Sequence, residues 1–282
     1  MKRFTRASLV ADALCLGSHW IYDQSQIASR FPNGISTFSD PASPYHPNRE
    51  AGELTHYGDQ CLTLYNSIEK RNGFDLDGWR EDWLAAMANY DGYVDGATKK
   101  TLAAAGLKPS DSHDLAGASR IAPILDLGLP VKDAVKAARA QTTLTHGDPA
   151  VADAAEFFVR AAVAVLNGAT FDDAFFDAVE CGHYDRLNVK QSVELACGAA
   201  KSGGDSLTIA SDFGLTCDVS DAFPLALYMA LLPGGNFAST MSTNALAGGD
   251  SSARAMLVAL LFAARDPEAG AELAGKLRLG NG

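Results

Sequence analysis

The stretch 148-DPAVADAAEFFVRAAVAVLNG-168 decides the fold class of this chain. Asp148 is a suitable N-cap, Pro149 suits the first helical position, and Gly168 follows the expected end. Apolar residues recur between them at helical spacing, at Val151, Ala155, Phe158, Ala162 and Val165. The stretch therefore predicts an amphipathic helix that begins at Pro149 and ends before Gly168.

The same helical period runs through most of the chain. Period-2 runs bounded by hairpin turns, which would indicate strands, are absent. No repeat, low-complexity tract or domain boundary interrupts the pattern. We therefore predict that residues 1–282 form a single all-α domain, a compact multi-helix bundle. Besides the quoted helix, its helices are expected at about 4–16, 59–70, 79–90, 95–105, 116–127, 131–140, 188–202, 220–232 and 250–265.

One long stretch, 23–58, breaks this pattern with prolines and turn formers such as Phe31-Pro32-Asn33-Gly34. It carries several aromatic residues, among them Tyr45 and Tyr57, which a disordered linker would lack. Long ordered loops in compact domains often bind ligands. We therefore interpret 23–58 as a binding element.

Composition limits the classes of function. The chain has 47% apolar residues, enough for a substantial core, and its net charge is −11. This charge argues against a nucleic-acid partner, and the longest apolar runs are too short to cross a membrane. The basic start of the chain lacks the apolar segment of a secretory signal, so we expect a cytoplasmic protein. Its five scattered cysteines are then expected to be buried free thiols.

Polar residues cluster at predicted helix starts. In Thr55-His56-Tyr57-Gly58-Asp59-Gln60, Asp59 lies at a helix N-terminus, where the dipole favours a carboxylate. A plain N-cap is the alternative interpretation. In Gly248-Gly249-Asp250-Ser251-Ser252, two glycines allow close approach of a ligand, and free N–H groups suit an anion. Asp250 is either a cap or an oxygen ligand for a hard cation.

Three further segments carry residues with two interpretations each. His146 lies just before a helix start and either faces a cleft or makes a structural hydrogen bond. The segment His19-Trp20-Ile21-Tyr22-Asp23 either packs as core or offers a stacking platform with a titratable group. Arg120 either binds phosphate or bridges helices, and we favour the bridge.

These clusters, in this order, resemble the ADP-ribosylglycohydrolase family, and more closely its branch related to jellyfish crystallin J1. The resemblance covers nearly the whole chain, from the segment around Asp12 to Gly249-Asp250-Ser251. It implies an all-α bundle of that family's type. It also implies hydrolysis of an N- or O-glycosidic bond to ADP-ribose, with two magnesium or manganese ions at the centre of the bundle.

The chain departs from the family pattern at the metal motifs. Tyr57-Gly58-Asp59-Gln60 stands for Thr-Asp-Asp-Thr, and Asp250-Ser251-Ser252-Ala253 stands for Asp-x-Asp-Thr. His19 stands where the family has a glutamate. Two carboxylates of four remain, too few to offset two hard cations. We therefore expect no two-metal centre, and at most one weakly held Mg²⁺ or Mn²⁺ on Asp59, Asp250 and Ser252.

The resemblance assigns roles to the retained residues. In an active hydrolase, Asp59 and Asp250 would hold the attacking water, and His19 or His56 would move protons. An ADP-ribose-like ligand or an ADP-ribosylated acceptor would be the partner. The alternatives are a non-catalytic binder of ADP-ribose or a nucleotide-like ligand, and a structural crystallin-like protein. The expected ligand contacts are Asp12, Tyr57, Gly58, His146, Gly248, Gly249 and Ser251.

Overall fold

The computed structural model, which describes residues 1–280, is built from helices. These residues form no sheet, and their extended pairings are isolated bridges, Ser110 to His146 and Asp114 to Asp218. The predicted all-α fold is therefore confirmed. The helices are α1 (Arg3–Cys15), α2 (Gln24–Arg30), α3 (His56–Arg71), α4 (Leu76–Ala88), α5 (Gly96–Ala103), α6 (Ala116–Ser119), α7 (Ala122–Leu125), α8 (Val131–Thr142), α9 (Pro149–Leu166), α10 (Phe171–Cys181), α11 (Val189–Ser202), α12 (Ser206–Phe213), α13 (Val219–Ala230), α14 (Phe237–Ala247), α15 (Ser251–Arg265) and α16 (Ala271–Ala274).

The core forms around α15. Every residue of this helix from Ser251 to Ala264 is buried, because its surface is apolar nearly all round, as in helices enclosed by others. α1 packs against it, and α9, α13 and α14 surround it. The fully buried Arg254 donates to Asn244 Oδ1 at 2.6 Å and to the Gly248 carbonyl at 2.9 Å, which fixes the turn between α14 and α15.

α9 has the predicted bounds. The Asp148 carboxylate accepts from the Ala150 N–H at 2.8 Å, Pro149 is the first helical residue, and Gly168 has a φ of 99° beyond the end. Local sequence thus determined both ends of this helix.

The sequence patterns missed α2, α10, α12, α14 and α16. α14 is rich in serine and threonine, which have low helix propensity. A capping box between Asn236 and Ser239 and packing against α15 stabilise it instead. α2 lies inside the stretch expected to be irregular, where only 31–55 lacks a helix.

The cysteine prediction is partly wrong. Cys15, Cys61 and Cys197 are buried free thiols, but Cys181 is exposed and Cys217 is half-buried. Among the described helices, none combines the length and apolarity that a membrane span requires.

Backbone hydrogen bonds between distant loops bring the helix starts to one end of the bundle. The Trp20 N–H donates to the Gly249 carbonyl at 2.8 Å, and the Leu115 N–H to the Cys217 carbonyl at 2.9 Å. The Ser110 N–H donates to the Thr145 carbonyl at 3.0 Å. The segments that carry the candidate residues therefore meet.

Candidate active site

A cleft of about 530 Å³ opens where these loops meet. Much of its wall is aromatic, and carboxyl groups of Asp95, Asp111 and Asp114 also face it. A cavity with apolar walls and a few polar groups is typical of a small-molecule site. The aromatic residues of its wall are Trp20, Tyr22, Tyr45, Tyr57 and Tyr93.

Asp250 has a buried carboxyl group without a hydrogen-bond partner. It occupies the N-cap position of α15 but makes no capping bond, its exposure is 1%, and both side-chain oxygens are unpaired. Burial raises the pKa of Asp250 to about 7, although the nearby Arg254 guanidinium and the polar groups of Trp20 and Tyr57 act in the opposite direction. Asp250 therefore exchanges its proton near neutral pH, as an acid–base catalyst must.

A second carboxyl group interacts with Asp250. Burial raises the pKa of Asp114 well above its usual range, and the charges of Asp250 and Asp95 raise it further. Asp114 also accepts from the Ala116 N–H at 2.8 Å. This shift favours the protonated form of Asp114. Asp114 lies just before the helix predicted at 116–127, and no local sequence pattern distinguishes it from a helix cap.

His19 lies directly beside Asp250. Its Nε2 is 3.6 Å from Asp250 Oδ1, and its Nδ1 accepts a long hydrogen bond from the Ser252 N–H at 3.4 Å. The neutral ring therefore carries its proton on Nε2, facing Asp250. Burial, then the neighbouring His46 and His56, lower the pKa of His19 well below 6.5.

Three more imidazoles are buried nearby. His56 Nδ1 is 3.4 Å from His46 Nε2, and His146 Nδ1 is 2.9 Å from the Thr145 hydroxyl. Burial lowers the pKa of His46 to about 4 and those of His56 and His146 to about 3. All three are neutral at pH 7, and the Nε2 atoms of His56 and His146 are unpaired.

Trp20 separates the cleft from the buried groups. Its ring lines the cleft and stacks on His19 with centroids 4.5 Å apart. The backbone holds it with a φ of 61°, in the left-handed region that non-glycine residues rarely adopt. His19 is fully buried and Asp250 is 1% exposed. A ligand in the cleft therefore contacts them only when the cleft wall, which includes Trp20 and Tyr57, moves.

The two glycines before Asp250 serve the fold. Each has a positive φ, and a Cβ would collide with the Ile21 carbonyl at Gly248 and with the Leu215 carbonyl at Gly249. Their N–H groups donate to the carbonyls of Ala245 and Ile21. The Ser251 N–H also bonds internally, to the Gly249 carbonyl, while its hydroxyl is buried and unpaired. These N–H groups are therefore not free to bind an anion in this structure.

Arg120 bridges helices. Its guanidinium donates to Gln60 Oε1 at 2.6 Å on α3, to Gln141 Oε1 at 3.2 Å on α8 and to the Thr145 hydroxyl at 2.7 Å. The side chain is 2% exposed and does not line the cleft. This geometry agrees with the structural interpretation of Arg120.

The comparisons with known proteins identify the family. The model of the ADP-ribosylglycohydrolase family matches residues 6–270. The chain belongs to the ADP-ribosylglycohydrolase family. A solved structure described as an ADP-ribosylglycohydrolase-related protein complex has a TM-score of 0.66, with 17% identity over 98% of this chain and 93% of that chain. At this identity the likeness shows the fold. None of the curated proteins compared gives a significant match.

In this ADP-ribosylglycohydrolase-family protein, the segment 57–60, which the sequence resemblance aligns with the family's first metal motif, lies at the start of α3 and packs on Asp12. The buried Asp12 carboxylate accepts from the Thr55 N–H at 2.8 Å and from the Thr55 hydroxyl at 2.6 Å. The Ser252 hydroxyl also donates to it. A Cβ on Gly58 would lie 2.7 Å from Asp12 Cγ. Glycine at position 58 therefore leaves room for the Asp12 side chain. Both carboxylate oxygens of Asp12 accept hydrogen bonds from other residues of the protein.

Asp59, the retained carboxylate of that motif, pairs with an arginine. Arg49 Nη2 and the Tyr90 hydroxyl each donate to Asp59 Oδ2 at 2.6 Å. Its side chain is 23% exposed, and Arg49 comes from the loop between α2 and α3. Asp59 therefore forms an ion pair with Arg49, whereas Asp250 lies beside His19.

This donor set does not fit a centre of two hard cations. Asp12 is bound by Thr55 and Ser252, Asp59 is neutralised by Arg49, and Asp250 is left as a single free carboxylate. Within residues 1–280, no group of three or more His, Cys, Asp or Glu side chains is arranged to hold a metal ion. Mg²⁺ and Mn²⁺ need several oxygen ligands around one point.

Proposed function

We propose that this protein hydrolyses a glycosidic bond by acid–base catalysis with Asp114 in the cleft and Asp250 behind its wall, without the dinuclear metal centre of its family. The observation that carries the proposal is the buried, unpaired carboxyl group of Asp250, whose pKa is about 7. Such a group both gives and takes protons at neutral pH.

Asp114 and Asp250 divide the proton transfers in this proposal. The protonated Asp114 donates to the leaving atom as its bond to the anomeric carbon breaks. A water molecule adds at that carbon and gives its proton to Asp250. The ionised Asp250 also stabilises the positive charge that develops on the sugar. His19, whose Nε2 proton faces Asp250, is a positioning residue for that carboxylate.

Family membership suggests an ADP-ribosyl group N- or O-linked to an acceptor as the substrate. The cleft meets a second cavity of about 780 Å³ at Trp20 and Tyr22, and Arg30 lies in that cavity. We propose that the diphosphate lies beside Arg30, since the basic groups of the cleft itself are paired with carboxylates. The bond to be cleaved then lies near Trp20, above Asp250.

The second candidate function is a non-catalytic binder of the same ligand class. The position of Trp20 favours it, because the stacked indole closes off His19 and Asp250. Hydrolysis requires that Trp20 moves when substrate binds, whereas binding in the cleft does not. Turnover by the parent protein therefore distinguishes the two functions.

The Asp250→Asn variant tests the hydrolase. Release of ADP-ribose from an ADP-ribosylated peptide, followed by chromatography, should fall by about 10²–10⁴-fold, while peptide affinity is retained. The pH–rate profile of the parent should have an inflection near 7 that the variant lacks. The control is Asp77→Asn, an exposed carboxylate on α4, which should keep the parent rate.

The results of this assay distinguish the hydrolase from the binder. An unchanged rate in Asp250→Asn would remove Asp250 from the mechanism. A parent protein that binds the peptide without releasing ADP-ribose would contradict the hydrolase and support the binder.

A further inference from the structure

Three aromatic rings of the cleft form a corner. The centroids of Trp20 and Tyr93 are 4.8 Å apart, those of Trp20 and Tyr45 are 5.0 Å apart, and those of Tyr45 and Tyr93 are 5.8 Å apart. The three interplanar angles are 73°, 82° and 86°, so the rings are nearly perpendicular to one another. All three rings line the cleft.

The charge of the cleft complements these rings. Its basic groups are both engaged, since Lys100 pairs with Asp111 at 2.7 Å and His113 with Asp218 at 3.1 Å. Asp95 and Asp114 face the same space, and the unpaired carboxyl group of Asp250 lies behind Trp20. The Lys99 ammonium lies 5.3 Å from the Tyr93 centroid, so this ring already has one cationic neighbour. The carboxylate of Asp95, which lines the cleft, favours a further cation there.

The carboxyl groups of the cleft are already used as acceptors. Asp95 accepts from the Thr98 N–H at 2.8 Å and from the Thr98 hydroxyl at 2.6 Å. Asp111 accepts from Lys100, and Asp114 from the Ala116 N–H. A guanidinium group brings five N–H donors and a primary ammonium three, each of which needs an acceptor when buried. A quaternary ammonium group brings none.

We propose that this cleft binds a quaternary ammonium group, held by the aromatic rings of Trp20, Tyr45 and Tyr93 and by the negative charge of Asp95. Aromatic corners with nearby carboxylates recognise alkylated cations through cation–π attraction, which needs no hydrogen bond. The inference rests on the proposed function only in taking this cleft as the ligand site. It concerns recognition and holds whether or not a bond is cleaved.

Calorimetry with three probes tests the proposal. Choline and 3,3-dimethylbutan-1-ol have nearly the same shape and differ in charge, and methylguanidinium carries the charge with N–H donors. Choline should bind about tenfold more tightly than the neutral alcohol, as expected for a partly desolvated cation–π site. It should also bind more tightly than methylguanidinium.

Two variants locate the site. Tyr93→Leu should weaken choline binding by about five- to tenfold and change the affinity for the neutral alcohol little. The matched control is Tyr65→Leu, a half-buried tyrosine of α3 that does not line the cleft, which should leave both affinities unchanged. A circular dichroism melt of each variant establishes that it is folded.

Three results would overturn the proposal. Equal affinities for choline and the alcohol would show apolar binding only. Tighter binding of methylguanidinium would show recognition through hydrogen bonds. The absence of choline binding at millimolar concentration would exclude the site. The ADP-ribose release assay contains no ammonium compound, so failure here leaves the hydrolase to be judged on its own experiment.

Discussion

Replacing Gly58 by alanine tests whether the missing side chain at position 58 makes room for the buried Asp12 carboxyl group. The new Cβ would lie 2.7 Å from Asp12 Cγ and 3.0 Å from Leu54 Cβ, and closer still to Asp12 Oδ2. Asp12 is fully buried and short, so it must turn away from Thr55 or Ser252 to make room. The variant therefore loses buried hydrogen bonds as well as free space.

The expected cost follows from these contacts. Two lost hydrogen bonds cost about 1 kcal/mol each, and overpacking adds about 1–3 kcal/mol. The higher helix propensity of alanine offsets about 1 kcal/mol of this destabilisation. The free energy of unfolding should thus fall by about 2–4 kcal/mol, which lowers the Tm by roughly 3–7 °C in a chain of this size.

Urea unfolding and thermal melting measure this change. Gly198→Ala in α11 is the matched control, because a Cβ there meets nothing within 4 Å. It should stabilise the protein by up to about 1 kcal/mol. In an Asp12→Ala background, Gly58→Ala should cost much less, since only the close contact with Leu54 Cβ remains. A neutral or stabilising effect of Gly58→Ala in the parent would refute the reasoning.

Two further predictions concern acid and metal. His46 has a pKa of about 4 in the folded protein, whereas an unfolded histidine has a pKa of about 6.5. Between these pH values the unfolded chain binds a proton that native His46 does not. The contribution of His46 therefore lowers the free energy of unfolding as the pH falls from about 6.5 to 4, by up to about 1.4 kcal/mol per pH unit. Asp59 and Asp250 have raised pKa values of about 6 and about 7, so their contributions raise the free energy of unfolding as the pH falls. The test therefore compares the parent with the His46→Gln variant by urea unfolding at pH 7, 6 and 5. The variant should lose less stability than the parent, and equal losses would show that His46 does not contribute. EDTA or Mn²⁺ should shift the Tm of the parent little, and calorimetry that finds two tightly bound Mn²⁺ ions would contradict the assignment of Asp12 and Asp59 to protein partners.

Local sequence determined the helical fold, because caps and apolar periodicity act within one or two turns. Asp148, Pro149 and the apolar face of α9 specify that helix without reference to the rest of the chain. α14 escaped prediction for the opposite reason, since its serine- and threonine-rich sequence is stabilised by a capping box and by α15. Family membership was also readable, from the order of motifs between Asp12 and Asp250.

The tertiary structure alone decided the chemistry of the candidate site. Asp59 and Asp250 look equivalent as carboxylates at helix starts, yet Asp59 pairs with Arg49 from a distant loop, whereas Asp250 has no ion pair with an arginine or lysine among residues 1–280 and lies 3.6 Å from the neutral His19. Asp114 has the sequence position of a helix cap, and its pKa is raised well above the usual range because folding buries it near Asp250. Sequence patterns report contacts between near neighbours along the chain. The pKa of a carboxyl group depends instead on burial and on charges that only folding brings together.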